Sequence, residues 1–91
     1  MCRSIRPLFN FDPPATDEEI HAAARQFVRK LSGFTAPSKA NQAAFDQAIT
    51  ETAASARRLI DALTTTAPAR DRVEWAARAR ARAAARVGSG R

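Results

Sequence analysis

The sequence predicts an all-α protein, and three observations carry that prediction. Apolar residues recur every three or four positions in two long stretches. Capping residues open those stretches, and Gly or Pro closes them. Alanine, the strongest helix former, supplies 22 of the 91 residues. The expected architecture is an antiparallel helical hairpin, an extended Pro-rich N-terminal arm and a third, Arg/Ala-rich C-terminal helix, in a single domain spanning 1–91. The expected bounds are 1–15 for the arm, 16–33 and 38–65 for the first two helices, and 70–87 for a basic third helix that is only partly ordered.

In the arm, Ile5, Leu8, Phe9 and Phe11 are interrupted by Pro7, Pro13 and Pro14, which fix the backbone and withhold amide donors. An extended segment laid across an apolar surface is expected. Thr16 then suits an N-cap, Glu19 completes a capping box, and Asp17, Glu18 and Glu19 suit the positive end of a helix dipole. Ile20, Ala24, Phe27 and Leu31, widened by Ala23 and Val28, mark the face expected to be buried. Gly33 fits a left-handed C-terminal position, with Phe34 folding back on Val28 in a Schellman ending, and Pro37 blocks continuation.

Ser38 is the expected cap of the second helix, in which Phe45, Ile49, Thr52, Ala56, Leu59 and Leu63 follow a helical stripe flanked by Ala48, Ala53 and Ile60. Two matching stripes joined by a short loop make a hairpin. Thr52, Ala53 and Ala56 let its helices approach closely, the phenylalanines gather near the loop, and Phe9 and Phe11 fill the remaining groove. Thr64, Thr65, Thr66 and Pro68 end this helix. Asp71 and Glu74 form a second capping pair. Beyond them only Val73, Trp75 and Val87 offer anything large to bury, so docking is expected through Val73 and Trp75 while the rest frays.

Charge is concentrated rather than spread. Lys and Arg number five against four acids over residues 1–37, three against three over 38–66, and seven against two over 67–91. Five of the six net positive charges thus lie in the C-terminal segment, which points to a polyanionic partner. Leu, Ile, Val and Phe together make only 16 of 91 residues, a thin inventory for a core that oligomerisation would help to stabilise. Arginine makes up 13 of the 15 basic residues, but a GC-rich genome gives the same excess of alanine and arginine, so the clustering is the stronger signal.

On a helix Arg78, Arg82 and Arg86 share a face, with Arg80 opposite and Glu74 placed to pair with Arg78. These four arginines are the candidate nucleic-acid-binding residues, with Arg29, Lys30 and Lys39 as helpers. Arg25 shares a face with Arg29 and extends the basic surface. The competing reading is a solvated helix whose arginines complement its negative end. No aromatic is interleaved between Arg78 and Arg91, so base stacking is not indicated and any binding is expected to be electrostatic. The basic tract also lacks a Leu, Phe or Trp face to insert into a membrane surface.

Cys2 is the most reactive-looking residue. Initiator methionine is commonly removed before a small second residue, and Arg3 and Arg6 would lower the pKa of the exposed thiol. With His21 as base, acyl or thiol chemistry is conceivable, but no orienting third group or oxyanion motif accompanies them. Redox sensing or an intermolecular disulfide at Cys2 is the stronger use of the thiol. Asp17, Glu18 and Glu19 are accounted for by capping, and Asp46, Glu51 and Asp61 fall outside the apolar stripe. There is no glycine-rich phosphate loop, HExxH or CxxC. One cysteine and one histidine do not complete a zinc site. No enzyme activity, metal, cofactor or small-molecule ligand is therefore expected. With neither an apolar span nor a signal-peptide pattern, a cytoplasmic location is expected.

The segments MCRSI, NFDPPAT, VRKLSGF, PSKANQAAF and TTAPARDR, in that order, resemble the small bacterial family called domain of unknown function 2277 over nearly the whole chain. Members more often carry leucine and tyrosine where Arg25 and Phe27 stand, and a second proline where Ala69 stands. The resemblance implies a bacterial cytoplasmic protein and brings no activity, cofactor or site residue with it. Sequence alone therefore leads to a non-catalytic polyanion-binding module for RNA or a ribonucleoprotein. The alternative is a helical protein-interaction or homodimer module, and thiol chemistry at Cys2 is a third reading.

Overall fold

The computed structural model describes residues 5–89, with side chains through Ala85. In chain order the elements are strand β1 (Phe11–Asp12), helix α1 (Asp17–Ser32), a 3-10 turn (Lys39–Asn41), helix α2 (Gln42–Ala62), strand β2 (Arg70–Asp71) and helix α3 (Arg72–Ser89). The protein is mostly helical, in keeping with the expected class, and carries one short parallel β-bridge that the sequence did not announce.

Thr16 caps α1 through a complete capping box: its Oγ1 accepts from Glu19 N–H at 3.1 Å, and Glu19 Oε1 accepts from Thr16 N–H at 2.9 Å. Gly33 closes the helix at φ 79°, its N–H donating to Arg29 O at 2.9 Å. This is the simpler left-handed ending rather than a Schellman motif. Phe34 accordingly does not fold back on Val28: its N–H donates to Ser32 Oγ at 3.2 Å and its ring is exposed. Ser38 makes no side-chain cap to the second helix. Its Oγ accepts from Asn41 Nδ2, and a 3-10 turn precedes α2.

The core is small. Ala24 and Val28 of α1 pack with Phe45 and Ile49 of α2, and Ala48 and Ala53 lie against them. Ile20, Phe11 and Ala15 are also buried. The buried row on α1 is therefore Ile20, Ala24 and Val28, whereas Phe27 and Leu31 remain 45% and 72% exposed. α2 and the arm together cover the central row of α1, and the flank of its stripe stays open. Leu59 of α2 and Leu63 just beyond its end are likewise 59% and 43% exposed. The expected phenylalanine cluster near the loop reduces to Phe45.

The arm lies against both helices, Ile5 and Leu8 beside Ile20, Phe27 and Ala56, and Phe9 and Phe11 near Arg57 and Ile60, and it also reaches α3. Asn10, at φ 64°, turns the chain so that its O accepts from Arg70 N–H at 2.9 Å and its Nδ2 donates to Pro68 O at 3.1 Å; asparagine tolerates that left-handed conformation. Phe11 then pairs with Arg70, and Asp12 with Asp71, as parallel strands. The Phe11 ring meets Trp75 edge to face, and the Arg70 guanidinium lies 4.3 Å above it. Phe11 thus braces the start of α3 as well as the arm. Val73, expected to dock, is 77% exposed, because the turn of α3 that faces the arm presents Arg72, Trp75 and Ala76. Asp71 Oδ1 accepts from Glu74 N–H at 2.8 Å, while the Glu74 carboxylate pairs with Arg78 instead of reaching back to Asp71.

The molecule measures 43 × 40 × 15 Å with a radius of gyration of 15.9 Å, well above the roughly 12 Å of a compact chain this long. Such a flat body leaves most side chains within reach of solvent.

Candidate anion-binding surfaces

Three basic regions follow from this arrangement. The first is the outer part of α3. Arg78 is tied to Glu74 one turn back, whereas Arg80 and Arg82 are exposed and meet no acceptor among the described residues. Every residue from Arg80 to Ala85 is exposed, so this stretch of α3 is open around its whole circumference. Arg86 lies in the same helix, with its side chain outside the described set.

The second region is a network around Glu19. Its Oε2 accepts from Arg6 Nη2 at 2.7 Å and from Arg72 Nη2, while Oε1 accepts from the Thr16 N–H. Burial alone would raise the Glu19 carboxyl, but the Thr16 backbone donor and the Arg72 guanidinium together hold it below its ordinary range. Arg6 and Arg72, with Pro7, Phe11, Trp75 and Ala76, line a shallow cleft of about 170 Å³. Their charge is already answered by Glu19, so the network is a structural clamp joining arm, α1 and α3. Arg57 is similarly spent: Nε and Nη2 donate to Asp17 Oδ1 at 3.1 and 2.5 Å, and Nη1 to Asp61 at 3.3 Å.

The third region is a groove of about 450 Å³ between α1, the following loop and the first half of α2. His21, Arg25 and Arg29 line one wall, Phe45, Asp46 and Ile49 the other, and Thr35 and Pro37 lie at the loop. Arg29 also lines a neighbouring hollow with Lys30 and Gly33. Its Nε is shut off from solvent and meets no acceptor among the described residues, an arrangement that costs on the order of 1–3 kcal/mol.

The structure therefore separates the sequence-predicted residues. Arg29 and Lys30 are neighbours, and Lys39 is exposed at the 3-10 turn. No ion pair, hydrogen bond or shared hollow among the described residues joins any of them to Arg78, Arg80 or Arg82. The His21 and Arg25 wall was only half legible: their spacing with Arg29 places all three in one row, but nothing in the sequence sets Asp46 and Phe45 across from them. Cys2 lies outside the described residues. Among the described residues no group of His, Cys, Asp and Glu is assembled that could hold a metal ion, and no helix is long and apolar enough to cross a membrane.

Fold and surfaces together define a small, mostly helical protein with a basic exterior, a clamped N-terminal arm and an open terminal helix. The chain belongs to the family described as uncharacterized conserved protein (DUF2277), whose model matches residues 1–78. The groove lies wholly inside that match, and Arg80, Arg82 and Arg86 lie past its end. Searches of curated proteins and of solved structures find no match to the chain.

Proposed function

We propose that this protein is a non-catalytic, cytoplasmic RNA-binding module, free or within a ribonucleoprotein, that grips the phosphate backbone with α3. Arg78, Arg80, Arg82 and Arg86 carry the contact and Arg29, Lys30 and Lys39 add to it from the body. In this reading α1 and α2 form an antiparallel hairpin. The ion pair between Arg57, late in α2, and Asp17, at the start of α1, supports that arrangement. The single observation behind the RNA reading is that Arg80 and Arg82 stand unpaired on a stretch of α3 exposed on every side. A helical stretch that buries no face and carries a run of arginines is suited to lie along a polyanion.

The test is fluorescence anisotropy of a labelled generic RNA across a salt series. Removing everything after Pro68 is a poor control, because it also removes Arg70, Arg72 and Trp75, which hold the arm. The better control is the full chain carrying Arg78→Gln, Arg80→Gln and Arg82→Gln. With about five phosphates of a single-stranded RNA engaged, the log–log salt slope is about −3.5, and the triple variant flattens it by about 2.1. Equal slopes for the two proteins, or no binding at low salt, refute the reading.

A second reading, a protein-interaction or homodimer module, draws on a different observation. Phe27, Leu31, Phe34, Leu59 and Leu63 are all exposed, and large apolar side chains on a flat molecule with a small core favour assembly.

A further inference from the structure

We propose that the groove between α1 and the first half of α2 is a binding site for a small phosphomonoester whose body carries hydroxyl groups and an apolar face, the chemistry of a nucleoside monophosphate. The site needs none of the α3 arginines and shares only Arg29 with the RNA contact proposed above. It also departs from the expectation, drawn from sequence, of no small-molecule ligand.

His21, Arg25 and Arg29 follow one another at intervals of four along α1, each one position beyond the buried row of Ile20, Ala24 and Val28. The same packing that buries that row therefore sets the three basic side chains along the seam with α2. Arginines four apart on a helix lie close enough to converge on a single phosphate, and two guanidinium groups match its oxygens with paired hydrogen bonds. The groove's volume of about 450 Å³ lies in the range of small-molecule sites.

Charge accounting leaves these residues, like Arg58, Arg80 and Arg82, without an acceptor among the described residues, and of these only Arg25 and Arg29 line this groove. Arg6, Arg57, Arg70, Arg72 and Arg78 each donate to an acceptor within the protein. The side chains of Arg25 and Arg29 meet none among the described residues, and Arg29 Nε is closed to solvent as well. An anion seated in the groove would give the guanidinium groups that line it an acceptor.

The opposite wall specifies the rest of the ligand. Asp46 accepts from Gln42 Nε2 at 2.8 Å and lines the same groove, where its carboxylate repels a bare anion but welcomes a hydroxyl donor. Phe45, Ile49 and Pro37 add apolar surface beside it. An anionic end toward Arg25 and Arg29, hydroxyls toward Asp46 and an apolar ring toward Phe45 together describe an organic phosphate, and they disfavour inorganic phosphate alone.

The experiment is a titration of the full ¹⁵N-labelled chain with adenosine 5′-monophosphate, inorganic phosphate and adenosine, followed by NMR at the Arg29 Nε–H and the Phe45 and Ile49 amides. Saturable shifts at these positions are expected for the monophosphate with a Kd of about 1 mM or tighter. Phosphate and adenosine alone are each expected to bind at least about tenfold more weakly, since each lacks half of the contacts. Arg29→Gln weakens the monophosphate by about tenfold. Arg25→Leu, at an exposed position where folding is not at stake, weakens it in the same direction. The variant lacking Arg78, Arg80 and Arg82 binds it as the parent does. Shifts that fail to saturate, that survive both Arg25→Leu and Arg29→Gln, or that vanish with the α3 arginines overturn the proposal.

Discussion

The ring of Phe11 meets that of Trp75 edge to face, with centroids 5.5 Å apart and planes at 84°, so residues 64 positions apart in sequence tie the arm to the first turn of α3. The Arg70 guanidinium covers the same phenylalanine and also donates to Phe9 O at 2.7 Å. Through this contact and the Arg72–Glu19 ion pair the first turn of α3 is fixed to the body, while Arg80 and Arg82 stand clear of it. The arrangement gives a short chain with a thin core one well-covered aromatic to anchor an otherwise marginal helix.

Phe11→Ala should therefore release α3 without dissolving the α1–α2 core. Truncating a buried phenylalanine costs about 3–5 kcal/mol, and Trp75 is only half-buried, which places the expected loss near 3 kcal/mol at the low end of that range. Trp75 is the sole tryptophan, so its emission reports the contact directly. A red shift in Phe11→Ala at denaturant concentrations where most helical ellipticity persists is expected. Simultaneous loss of both signals would mean that arm and core form one cooperative unit.

Glu19 makes stability depend on acid. Its folded pKa lies below the ordinary value of 4.5, so near and below that pH the unfolded chain binds the extra proton more readily than the folded one. Its stabilisation is complete above the ordinary value and is lost as pH falls from there through the depressed folded value. Protonation removes the acceptor shared by Arg6 and Arg72. In chemical denaturation at stepped pH, Glu19→Gln should be less stable than the parent at neutrality, and the difference should shrink in acid. A constant difference across the series would refute the assignment.

What the sequence disclosed were the features governed by local chemistry. The capping box of Thr16 and Glu19, the stop at Gly33 and the Asp71 cap on Glu74 each join residues within four positions, and the spacing alone specifies them. What it concealed were pairings over long separations. Nothing near Asn10 announces that its carbonyl meets Arg70, or that Phe11 braces α3 as well as lying beside α2. The apolar stripes were legible as stripes, but their burial was not: Ile20, Ala24 and Val28 face a neighbour while Phe27 and Leu31 do not, and that depends on how many neighbours a helix has. On the candidate surfaces the charge of α3 was plain from composition, whereas the wall formed by Asp46 and Phe45 opposite His21, Arg25 and Arg29 required the fold.

Gly33 gives a cleaner test of backbone strain than most glycines. It adopts φ 79° and ψ 4°, and a Cβ built there meets nothing within 4 Å. Gly33→Ala should therefore cost only the left-handed conformation, about 1–2 kcal/mol, without any steric clash. Gly33→Asn should cost less, since asparagine tolerates that region. A thermal unfolding series ranking Gly, Asn and Ala in falling stability is expected, and an alanine variant as stable as the parent would contradict the assigned geometry.

The interaction-module reading makes a prediction that salt separates from RNA binding. Leu59, in the last turn of α2, and Leu63, just past its end, are both exposed. If that surface meets a second copy, sedimentation should show the average mass rising with concentration. Added salt should leave that rise unchanged or strengthen it, since apolar contacts are not screened. The double variant Leu59→Ser, Leu63→Ser should then sediment as a monomer at every concentration with its helical signal intact, because neither side chain belongs to the core. Assembly that dissolves in salt would place the contact on the basic helix, and assembly that survives the double variant would move it to the exposed flank of α1 around Phe27 and Leu31.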